Sequence, residues 1–357
     1  MEAIARIGDI APPAAGRVSR PGLATHHFAL PQALRGLAAL WVVLFHLYAG
    51  GHVAAFFDAA PAALVWIFAK GENGVAVFFA LSGFVIAHSL RDATPSAGLL
   101  ARFVLRRAIR LDPPYWAAIL AVLVVGYVEY RIGRSPLPDV TKPQLAAHLF
   151  YAQNLLGFEN VNIVFWTLCY EVQFYIFFVL SMLVAHVRGG RYAPAVGLVH
   201  FGIALAWASG HVPTPMAGLF VNLWFAFYLG VLAYRSTGSR LAVAQMAALF
   251  VPIAWGGSTF GWVSFLTAVL LAVSLATGFV KNGLRLPPLL FLGTISYSLY
   301  LFHNPVTGAG FFLAGMLPLP DTVAIVAVLA VNVLAAWIAY RLVEAPAHAV
   351  SKRIALK

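Results

Sequence analysis

Two residues of this chain have both the type and the spacing to act together: Arg35 and His46, in the apolar stretch Pro31-Gln-Ala-Leu-Arg35-Gly-Leu-Ala-Ala-Leu-Trp-Val-Val-Leu-Phe-His46-Leu-Tyr-Ala-Gly50. No other charged residue lies in that stretch. On a helix, this separation returns His46 to within about 20° of Arg35 and sets it roughly 16 Å further along the axis. One face then carries a guanidinium, a planar fork of donors suited to oxyanions, and an imidazole, which exchanges protons near neutral pH. The competing reading is positional: an arginine marking the charged end of a membrane helix, and a histidine satisfied by its neighbours near the other end.

An ionised side chain in hydrocarbon costs about 2.5–3.5 kcal/mol on insertion scales, so one retained in a span has a partner or a task. Besides His46, the candidates are Glu171, in Phe165-Trp166-Thr-Leu-Cys-Tyr-Glu171-Val-Gln-Phe-Tyr175, and His303 near the outer end of its apolar run. His46 and Glu171 are expected at similar depth. A carboxylate beside a histidine fixes its tautomer and stabilises its protonated form, which a general base in acyl transfer requires. Glu171 paired elsewhere for packing is the alternative, and Thr167, one turn earlier, is within reach on either account.

The third cluster is Arg102-Phe-Val-Leu-Arg106-Arg107-Ala-Ile-Arg110-Leu-Asp-Pro-Pro-Tyr115, read as a loop between two spans. If it is helical, Arg107 and Arg110 share a face, with Arg106 four residues from Arg110. Guanidiniums converging at a membrane mouth suit bidentate binding of phosphates. The same run also serves as a topological anchor or a contact for anionic headgroups. Taken with Arg35, it matches a ligand with phosphates at the rim and a reactive end roughly 16 Å inside, as a phosphopantetheine arm reaching His46 would be.

These residues need elements to hold them. With 62% hydrophobic and 10% charged residues, the chain lies far from soluble domains, in which about 25% of residues are charged. An all-α integral membrane protein is expected. Runs long enough to cross about 30 Å of hydrocarbon occur at Pro31–Gly50, Gly74–Leu90, Pro114–Val128, Ile163–Ala185, Pro194–Ser209, Met216–Tyr234, Leu241–Trp255, Phe260–Val280, Pro288–Pro305 and Thr322–Leu342. The fifth and seventh of these ten are short for a span. With both termini cytoplasmic, nineteen of the 23 Lys and Arg residues fall inside, leaving Lys70, Arg131, Arg134 and Lys142 outside. The expected organisation is a flexible cytoplasmic tail (1–30), a ten-helix transmembrane domain (31–343) and a short basic cytoplasmic tail (344–357). The net charge of +11 does not point to nucleic acid, because the basic residues fall between apolar runs and no stacking aromatics interleave them. No metal site is expected. Cys169, the only cysteine, is expected as a small buried hydrophobe.

Lesser marks allow two readings each. Gly74-Val-Ala-Val-Phe-Phe-Ala-Leu-Ser82-Gly83 puts small residues mid-span, where close helix packing is the default. Asn304-Pro305 is expected to break its helix at the outer end, making a pocket or merely ending the span. The largest external loop, Glu129–Asn162, carries tyrosines and amides suited to a sugar, as many loops do.

Five ordered motifs together resemble the membrane-bound acyltransferase family three, of the polysaccharide O-acetyltransferase type. They are Arg35-x10-His46, Gly74-Val-x-x-Phe-Phe-x-Leu-Ser82-Gly83-Phe, Arg106-Arg-x-x-Arg110-Leu-x-Pro-x-Tyr115, Trp166-Thr-Leu-x-x-Glu171-x-x-Phe-Tyr175 and Ser296-Tyr-x-Leu-Tyr300-Leu-x-His303. The arginine motif carries an extra proline, Pro114. The resemblance implies transfer of an acyl group, usually acetyl from acetyl-CoA, to a hydroxyl of a carbohydrate or lipid-linked saccharide at the bacterial inner (plasma) membrane. It implies acyl-CoA as a donor substrate with no permanently bound cofactor. His46 would be the base or transient acyl carrier and Glu171 its orienting carboxylate. Arg35, Arg107 and Arg110, supported by Arg106, would clamp the CoA phosphates, and Trp166, Tyr300 and His303 would contact substrate. Without the extracytoplasmic domain of some relatives, the chain would act alone or with a separate partner. The rival class is a proton-coupled transporter of a sugar or lipid-linked intermediate, with His46 and Glu171 as its relay. The paired broken helices and two-fold repeats of such transporters are not evident. A helical scaffold whose polar residues only pack is the third possibility.

Overall fold

The computed structural model describes residues 28–356; the tail arginines Arg6, Arg17 and Arg20, and Lys357, lie outside them. The described residues form helices and loops, with no strand among them. In chain order the helices are α1 (Ala29–Ala49), α2 (Ala54–Ala59), α3 (Ala62–Ala69), α4 (Gly74–Ser89), α5 (Ala97–Arg131), α6 (Lys142–Leu149), α7 (Trp166–Gly190), α8 (Ala193–Trp207), α9 (Trp224–Arg235), α10 (Arg240–Gly256), α11 (Thr259–Ala276), α12 (Pro287–Ala314), α13 (Asp321–Ala339) and α14 (Ala345–Ser351). A π-helical turn, Tyr340–Glu344, joins the last two.

Among the described residues, six segments are long and apolar enough to cross a membrane: Ala29–Ala49, Gly71–Ser89, Ala97–Arg131, Ile163–Gly190, Thr259–Ala276 and Asp321–Ser351. The other four expected spans coincide with helices outside that set. Helices α8 and α10 are apolar but only 15 and 17 residues long, short for about 30 Å of hydrocarbon at 1.5 Å per residue. Helix α9 has 12 residues. Helix α12 has 28, but its serines, tyrosines, histidine and asparagine dilute its apolar character. The outward faces are apolar, with Leu198 69% and Val251 66% exposed. That is the inverse of a soluble surface and suits contact with lipid.

Helix α9 is the centre of the molecule, buried at every position from Trp224 to Ala233. It crosses α4 where Gly83 meets the Phe227 carbonyl and Gly230 meets the Ala80 carbonyl, and neither site has room for a Cβ. The small residues of α4 are therefore used for backbone approach, as expected of helices without a hydrophobic force between them. Helix α1 packs on α12 in the same way, with Gly36 against Gly293 and Gly293 against the Gln32 carbonyl. The Gln32 amide adds hydrogen bonds to the Leu290 carbonyl (3.1 Å) and to Thr294 Oγ1 (2.8 Å). These contacts fix the register of α1 on α12, and with it the depth of Arg35 and His46.

Two expectations are corrected, and the C-terminal segment is found packed on the fold. The arginine cluster is not in a loop: α5 starts at Ala97, capped by Ser96, whose Oγ accepts from the Leu99 amide at 3.0 Å, and runs 35 residues through Pro113 and Pro114. The expected span from Pro114 is only its second half. Nor do Asn304 and Pro305 end their helix, since α12 continues to Ala314. Proline lacks an N–H and so frees the carbonyl four residues earlier. Here that carbonyl, Leu301, accepts from Asn162 Nδ2 at 3.5 Å, and Asn304 Nδ2 donates to Asn162 Oδ1 at 3.2 Å. The broken bond is replaced from outside the helix, as a proline in a membrane helix requires. Finally, the segment after residue 343 is built into the fold: α14 packs against α5, and Arg106 Nη1 donates to the Ile354 carbonyl at 3.2 Å.

Asn162 is held by the folded connection between α5 and α7. Thr141 and Gln144 form a capping box at α6. His148 Nδ1–H donates to the Gln144 carbonyl (2.9 Å) while Nε2 accepts from the Val161 amide (3.0 Å). Burial pushes this imidazole below the usual histidine range, so the ring stays neutral and keeps its acceptor.

Candidate active site

Two clefts with no lining residue in common carry most of the ionisable candidates. The first, of about 780 Å³, is lined by Arg35 of α1, Ser82 of α4, Arg107 and Arg110 of α5, Glu171 and Tyr175 of α7, and Tyr297 and Tyr300 of α12. The second, of about 1010 Å³, is lined by His46 and His52 together with Glu129, Asn162, Asn304 and Thr307. Arg35 and His46 thus sit on one unbroken helix, as expected, but each faces a different cleft.

In the first cleft the three arginines differ. The Arg107 guanidinium lies 4.3 Å over the Tyr175 ring and 5.5 Å from Phe103, and donates to the Tyr175 hydroxyl at 3.2 Å. Tyr175 in turn donates to Glu171, which also accepts from Ser82 Oγ at 2.8 Å. Arg107 is therefore tied into a chain that ends on a carboxylate. Arg35 and Arg110 make no hydrogen bond and no ion pair with the rest of the described protein. Two half-buried guanidiniums that line one partly enclosed cleft without a protein partner among the described residues leave their donors free for an oxyanion.

Tyr300 lines the first cleft and not the second. Its hydroxyl donates to the Val164 carbonyl at 3.0 Å and meets Thr167 Oγ1 at 2.8 Å. Its ring centroid lies 6.0 Å from that of His303, which lies 5.0 Å from that of His46. His303 is 1% exposed. Its Nδ1 contacts the Tyr300 carbonyl (2.8 Å) and the Leu299 carbonyl (3.1 Å); carbonyls only accept, so Nδ1 carries the proton. Nε2 is therefore a bare lone pair, and it is buried with no partner. An unsatisfied acceptor beside a second imidazole is a place where a proton can be received.

Several expected roles are redistributed. Glu171 has no recorded contact with His46 and lines the arginine cleft instead, where its Oε1 accepts from both Ser82 and Tyr175. The ring beside His46 is His303. Arg106 does not line the cleft and ties α5 to the C-terminal segment instead. Trp166 packs on Tyr170, with centroids 5.7 Å apart, and lines neither cleft. Ser82, read as a packing residue, is a donor to Glu171. Tyr175 and Tyr297 were missed as cleft residues, although Tyr175 stands one turn from Glu171, a signal available in the spacing. Glu344, buried at 7% exposure, was also missed, and the π turn that presents it has no sequence signature.

Membrane-type helices around an interior of unpartnered guanidiniums and paired imidazoles define a multi-pass membrane protein with chemistry at its centre. Residues 31–341 match the acyltransferase domain family, and the chain belongs to that family; it is an acyltransferase. Similar proteins include the acyltransferase MdmB of Streptomyces mycarofaciens, 28% identical over 71% of this chain and 72% of that protein. The exopolysaccharide production protein ExoZ of Rhizobium meliloti is 31% identical over 66% of this chain and 77% of its own length. A provisionally named O-acetyltransferase of Staphylococcus aureus is 25% identical over 88% of this chain, which spans only 56% of that protein. No solved structure matches.

Proposed function

We propose that the protein is an O-acyltransferase of the bacterial inner membrane that moves an acyl group, acetyl in the first instance, from acyl-CoA to a hydroxyl of a carbohydrate or lipid-linked saccharide. Ten spans with both termini cytoplasmic are part of the reading, supported by the charge bias of the loops. The arginine cleft then opens to the cytoplasm, where acyl-CoA is found, and the His46 cleft opens outward. The observation that carries the proposal is the pair Arg35 and Arg110, unpartnered among the described residues in a cleft that Tyr300 also lines, with Tyr300 6.0 Å from His303 and His303 5.0 Å from His46 by ring centroids. The names of the relatives support oxygen as the accepting atom and extracellular polysaccharide as the acceptor class.

In this reading Arg35 and Arg110 hold the CoA phosphates, and the pantetheine arm runs past Ser82, Glu171 and Tyr175. The two ligands occupy separate clefts, so His46 carries the acyl group between them once Tyr300 swings aside. Its N–H is taken by the bare Nε2 of His303, and its other nitrogen bonds to the thioester carbon as the C–S bond breaks. The proton held by His303 then goes to the CoA thiolate. In the second half, the acceptor oxygen bonds to the acyl carbon as the N–C bond breaks, and the hydroxyl proton returns to His46. Glu171, with its two hydroxyl donors, keeps Arg107 in place.

The test is binding of labelled acetyl-CoA to the purified full chain in detergent, followed by acid quench in the absence of acceptor. Binding with label retained on wild type and absent from His46→Ala is the expected result. No binding by wild type would overturn the donor assignment, and binding with equal label on both proteins would overturn the carrier.

A further inference from the structure

Two polar residues of α12, Asn304 and Thr307, line the second cleft together with His46 and have no part in the scheme above. The hydrogen bonds behind them fix which atom of each is free. The Val164 N–H donates to Asn162 Oδ1 (3.4 Å), so that oxygen is an acceptor, and the group that meets it from Asn304 is the donor Nδ2 (3.2 Å). The other end of the Asn304 amide, Oδ1, has no hydrogen bond among the described residues. Asn332 Nδ2 donates to the Val328 carbonyl (2.9 Å) and to Thr307 Oγ1 (3.0 Å). The Val328 carbonyl only accepts, so this atom of Asn332 is the nitrogen and the Thr307 oxygen is its acceptor. The hydroxyl proton of Thr307 therefore has no acceptor among the described residues. One turn of one helix thus brings a free amide oxygen and a free hydroxyl donor to the wall of the cleft that His46 lines. Gly308, next in sequence, lines the same cleft, and a Cβ placed there would meet nothing within 4 Å.

We propose that Asn304 and Thr307 select the acceptor by reading the hydroxyls beside the one that reacts: one neighbouring hydroxyl donates to Asn304 Oδ1, and another accepts from the Thr307 hydroxyl. This rests on the reading of the His46 cleft as the acceptor site. Asn162 and Asn332 hold the two side chains from behind, so the free atoms are set in place before the acceptor arrives. A site built to pair with hydroxyls rejects an analogue that lacks them, because its own polar atoms are then left unpaired under the ligand. A polyol satisfies both groups at once. An alcohol with a single hydroxyl, spent on the reaction, satisfies neither.

The experiment is transfer of label from acetyl-CoA, by the full chain in detergent, to glycerol and to 1-propanol, which share a primary hydroxyl and differ in the hydroxyls beside it. With each hydrogen bond contributing about fivefold, wild type is expected to form the glycerol ester in about twentyfold excess at equal alcohol concentration. Thr307→Val and Asn304→Ala are each expected to lower the glycerol-to-propanol ratio about fivefold, and Thr307→Ser to restore it. Damage to the fold would lower both products together and leave the ratio where it was. Gly308→Leu, whose side chain projects into the open space of the cleft, is expected to lower transfer to glycerol by about tenfold or more, with acetyl-CoA still bound. A wild-type ratio near one, or a ratio unchanged in either Thr307→Val or Asn304→Ala, overturns the proposal. If Asn304→Ala does not fold, the ratio in Thr307→Val decides. Transfer by wild type to neither alcohol while acetyl-CoA is bound, or full transfer to glycerol by Gly308→Leu, would remove the acceptor reading of the cleft, a distinct failure.

Discussion

At the scale of single residues, two kinds of unpartnered group stand out: half-buried donors with no acceptor and a buried acceptor with no donor. Arg35 and Arg110 are the first kind, and His303 Nε2 is the second. Loss of His46 is expected to reduce transfer by at least the factor of about 10²–10⁴ typical of a lost proton-transfer group, with CoA binding retained. In His303→Gln the side chain no longer accepts and holds a proton; the expected outcome is a large loss of kcat with little change in donor KM. Equal activity in His303→Gln and wild type would leave His46 without its proton acceptor and count against the relay. Arg110 is tested by the shape of its donor group. Lysine keeps the charge but not the fork, so CoA affinity is expected to fall in Arg110→Lys and to fall further in Arg110→Ala, measured by direct binding. Affinity equal to wild type in both would return Arg110 to the role of a topological anchor. Most of these residues were legible in sequence, because an ionisable group in an apolar run stands out. Their pairing was not. Glu171 was matched to His46 on depth alone, and depth cannot tell which face of α7 meets which neighbour.

At the scale of elements, α1 is the ruler of the site, since one helix carries the donor arginine at one end and the histidine at the other. Its register on α12 is set by Gly36, Gly293 and Gln32, all on the Arg35 side. One alanine inserted between Leu37 and Ala38 leaves those contacts in place but turns His46 by about 100° and moves it by about 1.5 Å. Near-complete loss of transfer is expected, with CoA binding kept. Four inserted alanines turn the helix by about 400°, restoring the face to within about 40° while adding about 6 Å. That variant is expected to bind CoA with transfer still poor, because the reach no longer matches. Wild-type transfer in the single insertion would dissociate the two ends of α1. Spans such as α1, α4 and α11 were legible because apolar length and loop charge speak for themselves. The continuous α5 was not, because Arg102 to Arg110 and two prolines look like a loop when read one residue at a time. The persistence of α12 through Pro305 was hidden for a related reason: the compensating donor, Asn162, lies far away in sequence.

At the scale of the whole molecule, the proposed use of the two clefts would make the reaction directional across the bilayer. In the proposed scheme donor and acceptor do not share a cavity, and the contacts Thr167–Tyr300, Tyr300–His303 and His303–His46 run from one cleft to the other. Acyl-CoA carries several negative charges and does not cross lipid unaided, so under the proposed function the donor would arrive at the arginine cleft from its own side. In sealed vesicles holding the full chain, the expected outcome is that acetyl-CoA supports transfer only when presented to the face on which the loops carry Arg188, Arg191, Arg235 and Arg240. The product is expected on the opposite face. Tyr300→Ala, which breaks that row of contacts, is expected to let water reach the acyl group and so to raise hydrolysis of acetyl-CoA relative to transfer. Vesicles of inverted orientation should exchange the two faces. Transfer at equal rate with donor on either face would mean that both substrates reach His46 through one cleft, and the row of contacts would then be a packing feature.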